Sequence, residues 1–252
     1  MNTERIWAIN SHIQMKGQVH LKELMELFPQ VSAMTIRRDI DYLEKQGHIV
    51  RTRGGAKSII HLTHMKEDIY QTRANERIEA KTAIAQKAAG LTLETGAVYF
   101  DSGSTVMHTV MHMNVTGIFA VTSGPNVALE LCRRGCARTV LLGGNVNMDN
   151  LSISGVSALE QLKKINIGTA FMAASGFASG TGFTVGNFDE GELKRAAIAK
   201  ASKVAVLMDS EKIGSSLPYT FASFSDIDCL ISEYPLPKEL YEEAVKSGVT
   251  VL

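Results

Sequence analysis

The sequence predicts an α/β chain in two parts: an N-terminal winged helix-turn-helix and a larger, mainly parallel α/β body. Three short amphipathic helices and a basic Gly-Gly hairpin fill the amino-terminal stretch. From Ala80 onward, short apolar runs alternate with helical patterns. Those runs end in small polar loops, the pattern of buried parallel strands covered by helices on both faces.

The head can be followed helix by helix. Arg5, Ile9 and Ile13 recur at four-residue steps, with Ile6 and Trp7 filling in a helix that stops near Gly17. Leu21, Leu24, Met25 and Phe28 form the apolar face of a second helix, closed by Pro29. In the third, Ser32 is placed to cap the free amides at the helix start. Ile36, Ile40 and Leu43 make its buried stripe, and Gly47 supplies a left-handed stop. Thr35, Arg37 and Arg38 are left near the amino-terminal end, outside the stripe or at its edge. This is the end that a recognition helix pushes into a DNA major groove. Alone, the segment would read as a solvated helix with two surface arginines; its flanks decide otherwise. Ile49 to Ala56 alternates and carries Gly54-Gly55, which predicts a hairpin bearing Arg51 and Arg53. Such a wing touches phosphate or the minor groove. The expected DNA contacts are therefore Ser32, Thr35, Arg37, Arg38, Arg51 and Arg53.

Charge agrees. Residues 1–60 hold nine Lys/Arg and six Asp/Glu, a balance of +3, and the neutral whole leaves −3 for the rest. A neutral protein is no nonspecific nucleic-acid coat, whereas a small basic head on an acidic body suits a site-specific binder that needs a second subunit. No apolar run approaches the ~18 residues of a membrane span, and the amino terminus does not resemble a secretory signal. The three cysteines, Cys132, Cys136 and Cys229, are expected to be buried, reduced thiols in a cytoplasmic protein, with no metal site. The polar stretch from Ile59 lacks periodicity and is read as a linker. The expected organisation is a DNA-binding domain over residues 1–58, a linker over 59–74 and an effector domain over 75–252.

In the body, expected strands at Val98–Phe100, Ile118–Val121, Val140–Leu142, Ala170–Met172, Val204–Met208 and Leu230–Ile231 each end in a polar loop. Open α/β folds bind ligands at that edge. Asp101-Ser102-Gly103-Ser104-Thr105 is the sharpest loop, with hydroxyls, a glycine and a following helix whose free amides suit an anion such as phosphate. A well-capped strand-to-helix turn would look the same. Glu190 and Lys194-Arg195 lie on the first turns of a later helix, and whether the two cations face a ligand stays open. Asp209 and Lys212, past another strand, add an acid and a phosphate-binding cation.

These residues resemble the DeoR family of bacterial transcription regulators. In the head, the resemblance rests on Arg5, Ile9 and Ile13, then Ser32, Thr35, Ile36, Arg37, Arg38, Asp39, Ile40 and Leu43, then Gly54, Gly55 and Ala56. Arg53 stands where the family usually has His, and His20 replaces a small hydroxyl residue. Landmarks in the body are Lys81, the loop from Asp101 to Thr105, Thr122 through Asn126, Gly143-Gly144, Ser154-Gly155, Gly176, Gly182 with Thr184, Glu190 with Lys194-Arg195, and Asp209 with Lys212. Thr122-Ser123-Gly124-Pro125-Asn126 departs from the family's usual Thr-Asn-Ser.

The resemblance implies a sensor domain similar to the ribose-5-phosphate isomerase and glucosamine-phosphate deaminase class, binding a phosphorylated sugar. The effector residues it implies are Asp101, Ser102, Gly103, Ser104, Thr105, Ser123, Asn126, Gly143, Gly144, Gly176, Thr184, Glu190, Lys194, Asp209 and Lys212. The expected function is repression of a carbohydrate-utilisation operon, relieved by that sugar phosphate. The partners are then double-stranded operator DNA, the effector and further copies of the chain as a dimer or tetramer, with no cofactor. An activator with the same sensor is the alternative. A sugar-phosphate isomerase or deaminase carrying a DNA-binding head is a third, since Glu190, Asp101 or Asp209 could serve as a base, although fold similarity alone does not carry activity.

Overall fold

The computed structural model describes residues 3–16, 18–52, 54–58 and 69–252. It separates into two compact units, residues 1–66 and 67–252. Arg53 and Gly17 fall outside the described residues, as does most of the expected linker.

The first unit comprises α1 (Thr3–Lys16), β1 (Gln18–His20), α2 (Leu21–Leu27), α3 (Ala33–Lys45), β2 (Ile49–Thr52) and β3 (Gly55–Ser58). Its three strands form an antiparallel sheet in the order β1-β3-β2. This is a winged helix-turn-helix. Ile9, Ile13, Leu24, Ile36, Ile40, Leu43 and Ile49 are buried together in its core. Met25, expected on the apolar face of α2, is 40% exposed, because Leu24 and the partly buried Leu21 and Phe28 fill that side. Gly47 ends α3 at φ +74, a conformation that glycine adopts without strain.

The second unit opens with α4 (Tyr70–Asn75) and α5 (Ile78–Ala89). Residues 70–74, read from sequence as linker, are thus helical. Tyr70 is the one buried side chain of α4, too little to print a hydrophobic period. There follow β4 (Ala97–Phe100), α6 (Ser104–His112), β5 (Phe119–Thr122), α7 (Pro125–Arg133), β6 (Arg138–Leu141), β7 (Asn145–Asn147), β8 (Ser152–Ser154) and α8 (Val156–Leu162). The chain continues through β9 (Ile167–Ala173), β10 (Gly176–Ala178), β11 (Gly182–Val185), α9 (Phe188–Lys200), β12 (Ala201–Leu207), β13 (Tyr219–Ala222), β14 (Cys229–Ile231), α10 (Lys238–Lys246) and β15 (Thr250–Val251).

Seven strands make one parallel sheet in the order β15-β14-β12-β9-β4-β5-β6. Buried apolar layers cover both faces, one around Tyr99, Met172 and Val206, the other around Phe100, Phe171 and Leu207. From β4 the chain runs outward through β5 and β6, then returns to place β9 on the other side of β4 and runs outward again. The direction of winding therefore reverses between β4 and β9, which opens a crevice at their carboxyl ends. A small sheet, β10-β11-β13, and the β7-β8 hairpin are antiparallel additions. Of the cysteines, Cys229 is buried, but Cys132 is exposed, contrary to expectation, because it falls on the solvent side of α7.

Candidate functional site

In the head, Ser32 caps α3: its Oγ accepts from the Thr35 amide at 3.2 Å and lies 3.0 Å from the Thr35 hydroxyl. The two hydroxyls serve each other and fix the first turn. Arg37 and Arg38 are exposed just beyond it. Arg51 on the wing donates through its guanidinium to Asp41 and through its amide to Glu44 at 2.8 Å, which holds β2 against α3. The hidden device is Asp39. It is 1% exposed and accepts from Arg5 Nε at 2.7 Å and Nη2 at 3.3 Å. A buried carboxylate needs such a partner, and this one ties α1 to the recognition helix. Asp39 sits on the stripe side of α3, three residues after Ile36. An acid at a core-facing position was the signal that a cation had to meet it.

In the second unit a cleft lies where the winding reverses. It is lined by Ser104 and Thr105 at the start of α6, by Ala173, Ala174 and Ser175 after β9, and by Asp209, Glu211 and Lys212 after β12. Arg73, Glu76, Arg77 and Lys81, from α4, α5 and the turn between them, close the other side. Four cations thus face three carboxylates. The first amides of α6 have no partner within the helix, and Gly103 ahead of it offers no capping side chain. Their dipoles and the cations favour an anion carrying hydroxyls.

Lys81 is buried and donates to the carbonyls of Arg73 and Glu76, at the end of α4. Burial pushes its ammonium below the ordinary value, while Asp209 pulls it back up. Arg77 holds a left-handed backbone (φ +53), strained for a non-glycine residue. Its guanidinium is gripped by Glu211 at 2.6 Å and Glu233 at 2.7 Å. Burial raises Glu233, but hydrogen bonds from Ser210, Ser232 and its own amide together outweigh this and hold it below the usual carboxylate value.

Of the sequence-predicted effector residues, the structure brings Ser104, Thr105, Asp209 and Lys212 to this cleft. Asp101, Glu190 and Lys194 also meet, as a buried network. Lys194 pairs with Asp101, donates to the Ala173 carbonyl at 3.0 Å and lies 3.5 Å from Glu190, which accepts from Asn150 at 2.7 Å. Asp101 accepts in turn from the Ala173 amide at 3.1 Å. The network binds β4, β9, α9 and the segment after β7 into one unit. Arg195 turns elsewhere, to Glu192 and the Thr220 carbonyl.

Ser102 is buried, and Gly103 packs so closely on β9 that a Cβ would stand 2.3 Å from that of Ala173. Ser123 accepts from the Tyr99 hydroxyl at 3.0 Å, and Asn126 donates to the Tyr70 hydroxyl. Gly143 bonds Gln161, and Gly144 lies against Ser154. Both follow β6, three strands from β9, or about 14 Å away at ~4.8 Å per strand. Gly176 and Thr184 bond each other across β10 and β11. Sequence reasoning missed Arg73, Glu76, Arg77 and Glu211, and gave Lys81 as a landmark of the resemblance without placing it among the effector residues. The signal for the first three was the charge density of Arg73-Ala74-Asn75-Glu76-Arg77.

A winged head whose third helix exposes Arg37 and Arg38 near its start, joined to an α/β domain with an anion-suited cleft, defines a ligand-sensing transcription regulator. The chain belongs to the DeoR family. The model of the DeoR-like helix-turn-helix domain matches residues 5–61, and that of the DeoR C terminal sensor domain matches residues 76–234. Among its relatives is the HTH-type transcriptional repressor GlcR of Bacillus subtilis, 31% identical over 99% of this chain and 95% of the relative. The HTH-type transcriptional regulator GlpR of Haloferax volcanii is 32% identical over 88% of this chain and 86% of its own. The lactose phosphotransferase system repressor of Streptococcus mutans is 30% identical over 91% of each. Ribose 5 phosphate isomerase A from Neisseria gonorrhoeae matches in structure with a TM-score of 0.39 and 15% identity, over 54% of this chain and 53% of its own. A likeness of that degree brings no activity with it. The chain is a DNA-binding transcription regulator.

Proposed function

We propose that this regulator represses a carbohydrate-utilisation operon and leaves its operator when a phosphorylated sugar enters the cleft between β4, β9 and β12. The observation that carries the reading is the meeting there of a helix amino terminus, the Ser104 and Thr105 hydroxyls, and the cations Arg73, Arg77, Lys81 and Lys212. The cations and amides suit a phosphate; Asp209 and Glu211 suit the hydroxyls of a sugar. Ser102 and Gly103 shape the loop that offers the amides, while Asp101, Lys194 and Glu190 fix the strands beneath it. The names of relatives such as the GlcR and lactose phosphotransferase system repressors support repression. No described helix is long and apolar enough to cross a membrane, in keeping with a cytoplasmic site of action.

Release requires that the effector favour the DNA-incompetent state. Lys81 supplies the means: its ammonium bonds the carbonyls that end α4, the first described helix after the DNA-binding unit. A phosphate drawing that ammonium away loosens α4 from α5. On the DNA side, Arg37 and Arg38 contact the operator from the start of α3, and two or more copies of the chain share one operator.

The test is a titration of a panel of sugar phosphates against the full chain on its own promoter DNA, read by fluorescence anisotropy. At least one should release the protein at metabolite-like concentration, and Lys212→Ala should blunt that release without weakening operator binding. Release by none of them would overturn the reading.

A further inference from the structure

The cleft is small for an effector of the proposed kind. It encloses ≈ 40 Å³, room for about three waters, and so for a phosphate group but no sugar ring. Ordinary ligand sites run to ~300–1,000 Å³. A second cavity, of ≈ 570 Å³, opens beside the cleft, and Arg77 lines both. Its guanidinium bonds Glu211 of the cleft through Nη1 and Glu233 of the cavity through Nη2, which makes it the shared wall. The remaining guanidinium nitrogen, Nε, is buried and has no acceptor among the described residues. A buried donor calls for one.

The side chains of the cavity suit a sugar. Tyr234, after β14, presents a ring that is 64% exposed, and Ile78 at the start of α5 adds an apolar side chain that is 51% exposed. An aromatic ring with a polar tip packs against the carbon face of a sugar and bonds at its rim. Hydroxyl acceptors stand next to it. The Glu79 carboxylate has no hydrogen-bond or ion-pair partner among the described residues. Asn75 spends its amide nitrogen on the Gln71 carbonyl at 2.9 Å and keeps its oxygen as an acceptor.

We propose that the effector spans both spaces, with its phosphate in the cleft at the start of α6 and its sugar ring in the cavity, where Asn75, Glu79 and Tyr234 select the sugar. The proposal rests on the reading that a phosphorylated sugar is the effector, and it narrows the class. The ligand is a ring sugar with hydroxyls remote from the phosphate, such as a hexose phosphate. A short acyclic phosphate would leave the cavity unused. A ligand oxygen at the shared wall gives Arg77 Nε its acceptor. Neighbouring residues of one turn serve the two spaces: Arg73 and Glu76 line the cleft, Asn75 and Glu79 the cavity. The turn between α4 and α5 therefore reads both ends of the effector.

The test is isothermal titration calorimetry on the full chain without DNA, using glycerol 3-phosphate and a panel of hexose phosphates. The parent is expected to bind at least one hexose phosphate ten or more times as tightly as glycerol 3-phosphate. Glu79→Gln/Tyr234→Ala changes two exposed positions, and matching thermal melts establish that it folds. It should weaken that hexose phosphate at least tenfold and leave the glycerol 3-phosphate Kd within twofold. Lys212→Ala should weaken both ligands alike, and Tyr241→Ala, exposed on α10 and outside the cavity, should change neither. A double variant that keeps the parental hexose-phosphate Kd, or loses both ligands equally, would overturn the proposal and leave the sugar-phosphate reading standing. So would a parent that binds glycerol 3-phosphate as tightly as every hexose phosphate. A parent that binds no member of the panel would overturn that reading and the proposal with it.

Discussion

Replacing Lys194 with methionine removes one charge from a network sealed away from water. Lys194 and Asp101 are 2% and 1% exposed. Without the ammonium, Asp101 keeps only the Ala173 amide at 3.1 Å among its described partners, and the Ala173 carbonyl loses a donor at 3.0 Å. Taking one partner from a buried ion pair strands the other charge and costs ~3–5 kcal/mol. For a domain of this size each kcal/mol lowers the melting temperature by ~2–4 °C, so the sensor should melt ~6–20 °C lower. Asp101→Asn/Lys194→Met should recover part of that, because the asparagine carbonyl still accepts from Ala173 and the charge at 101 is gone, while Glu190 still loses the cation 3.5 Å away but keeps Asn150. A double-mutant cycle by urea denaturation should then show coupling of ~2 kcal/mol or more. A single-variant cost below ~1 kcal/mol, or additivity within ~0.5 kcal/mol, would refute the reasoning and leave Lys194 a solvated cation.

Arg37→Ala and Arg38→Ala should each weaken operator binding; loss of a phosphate contact lowers the salt slope by about 1, whereas loss of a base contact relaxes preference at one base pair. Binding isotherms across a salt series separate the two, and parental isotherms for both variants would misplace the recognition helix. Gly103→Ala should destabilise the sensor by ~1–3 kcal/mol through overpacking, since its new Cβ meets the fixed Cβ of Ala173; a thermal melt reads this. His108 is held below its ordinary 6.5 by burial first and by Lys81 second. The unfolded chain therefore takes up this proton first, and stability is lost as pH falls from 6.5 toward the lowered folded value. His108→Gln should flatten that part of the urea-midpoint profile, and an unchanged profile would remove the histidine from the account.

The parallel core was legible because its strands are continuous apolar runs, and all six expected strands lie in the seven-stranded sheet. What escaped was short or locally polar. The two-residue β15, the β1 edge and the β7-β8 hairpin carry no apolar run long enough to register. The cleft was half legible for a related reason. Loops after parallel strands announce themselves by composition, so Ser104, Thr105, Asp209 and Lys212 could be named from their neighbours. Which loops share a crevice depends on strand order, which the sequence does not state. From sequence, Gly143-Gly144 reads as a loop at the same sheet edge as the sharper Asp101–Thr105 loop, yet β6 is the last strand of the sheet and β4 lies beside the reversal. Arg73 and Arg77 were hidden because α4 buries one side chain and resembles a linker. Asp39 could have been found, since a carboxylate on a buried stripe requires a partner.

The central claim is that occupancy of the cleft and occupancy of the operator oppose each other. Linkage demands that the effect be mutual: if a sugar phosphate weakens operator binding by some factor, operator DNA weakens sugar-phosphate binding by the same factor. Calorimetric titration of the releasing sugar phosphate into the free chain and into its operator complex measures this directly. The account predicts a Kd at least tenfold weaker for the complex, equal to the factor by which the effector raises the operator Kd. Equal affinities in the two titrations would contradict it.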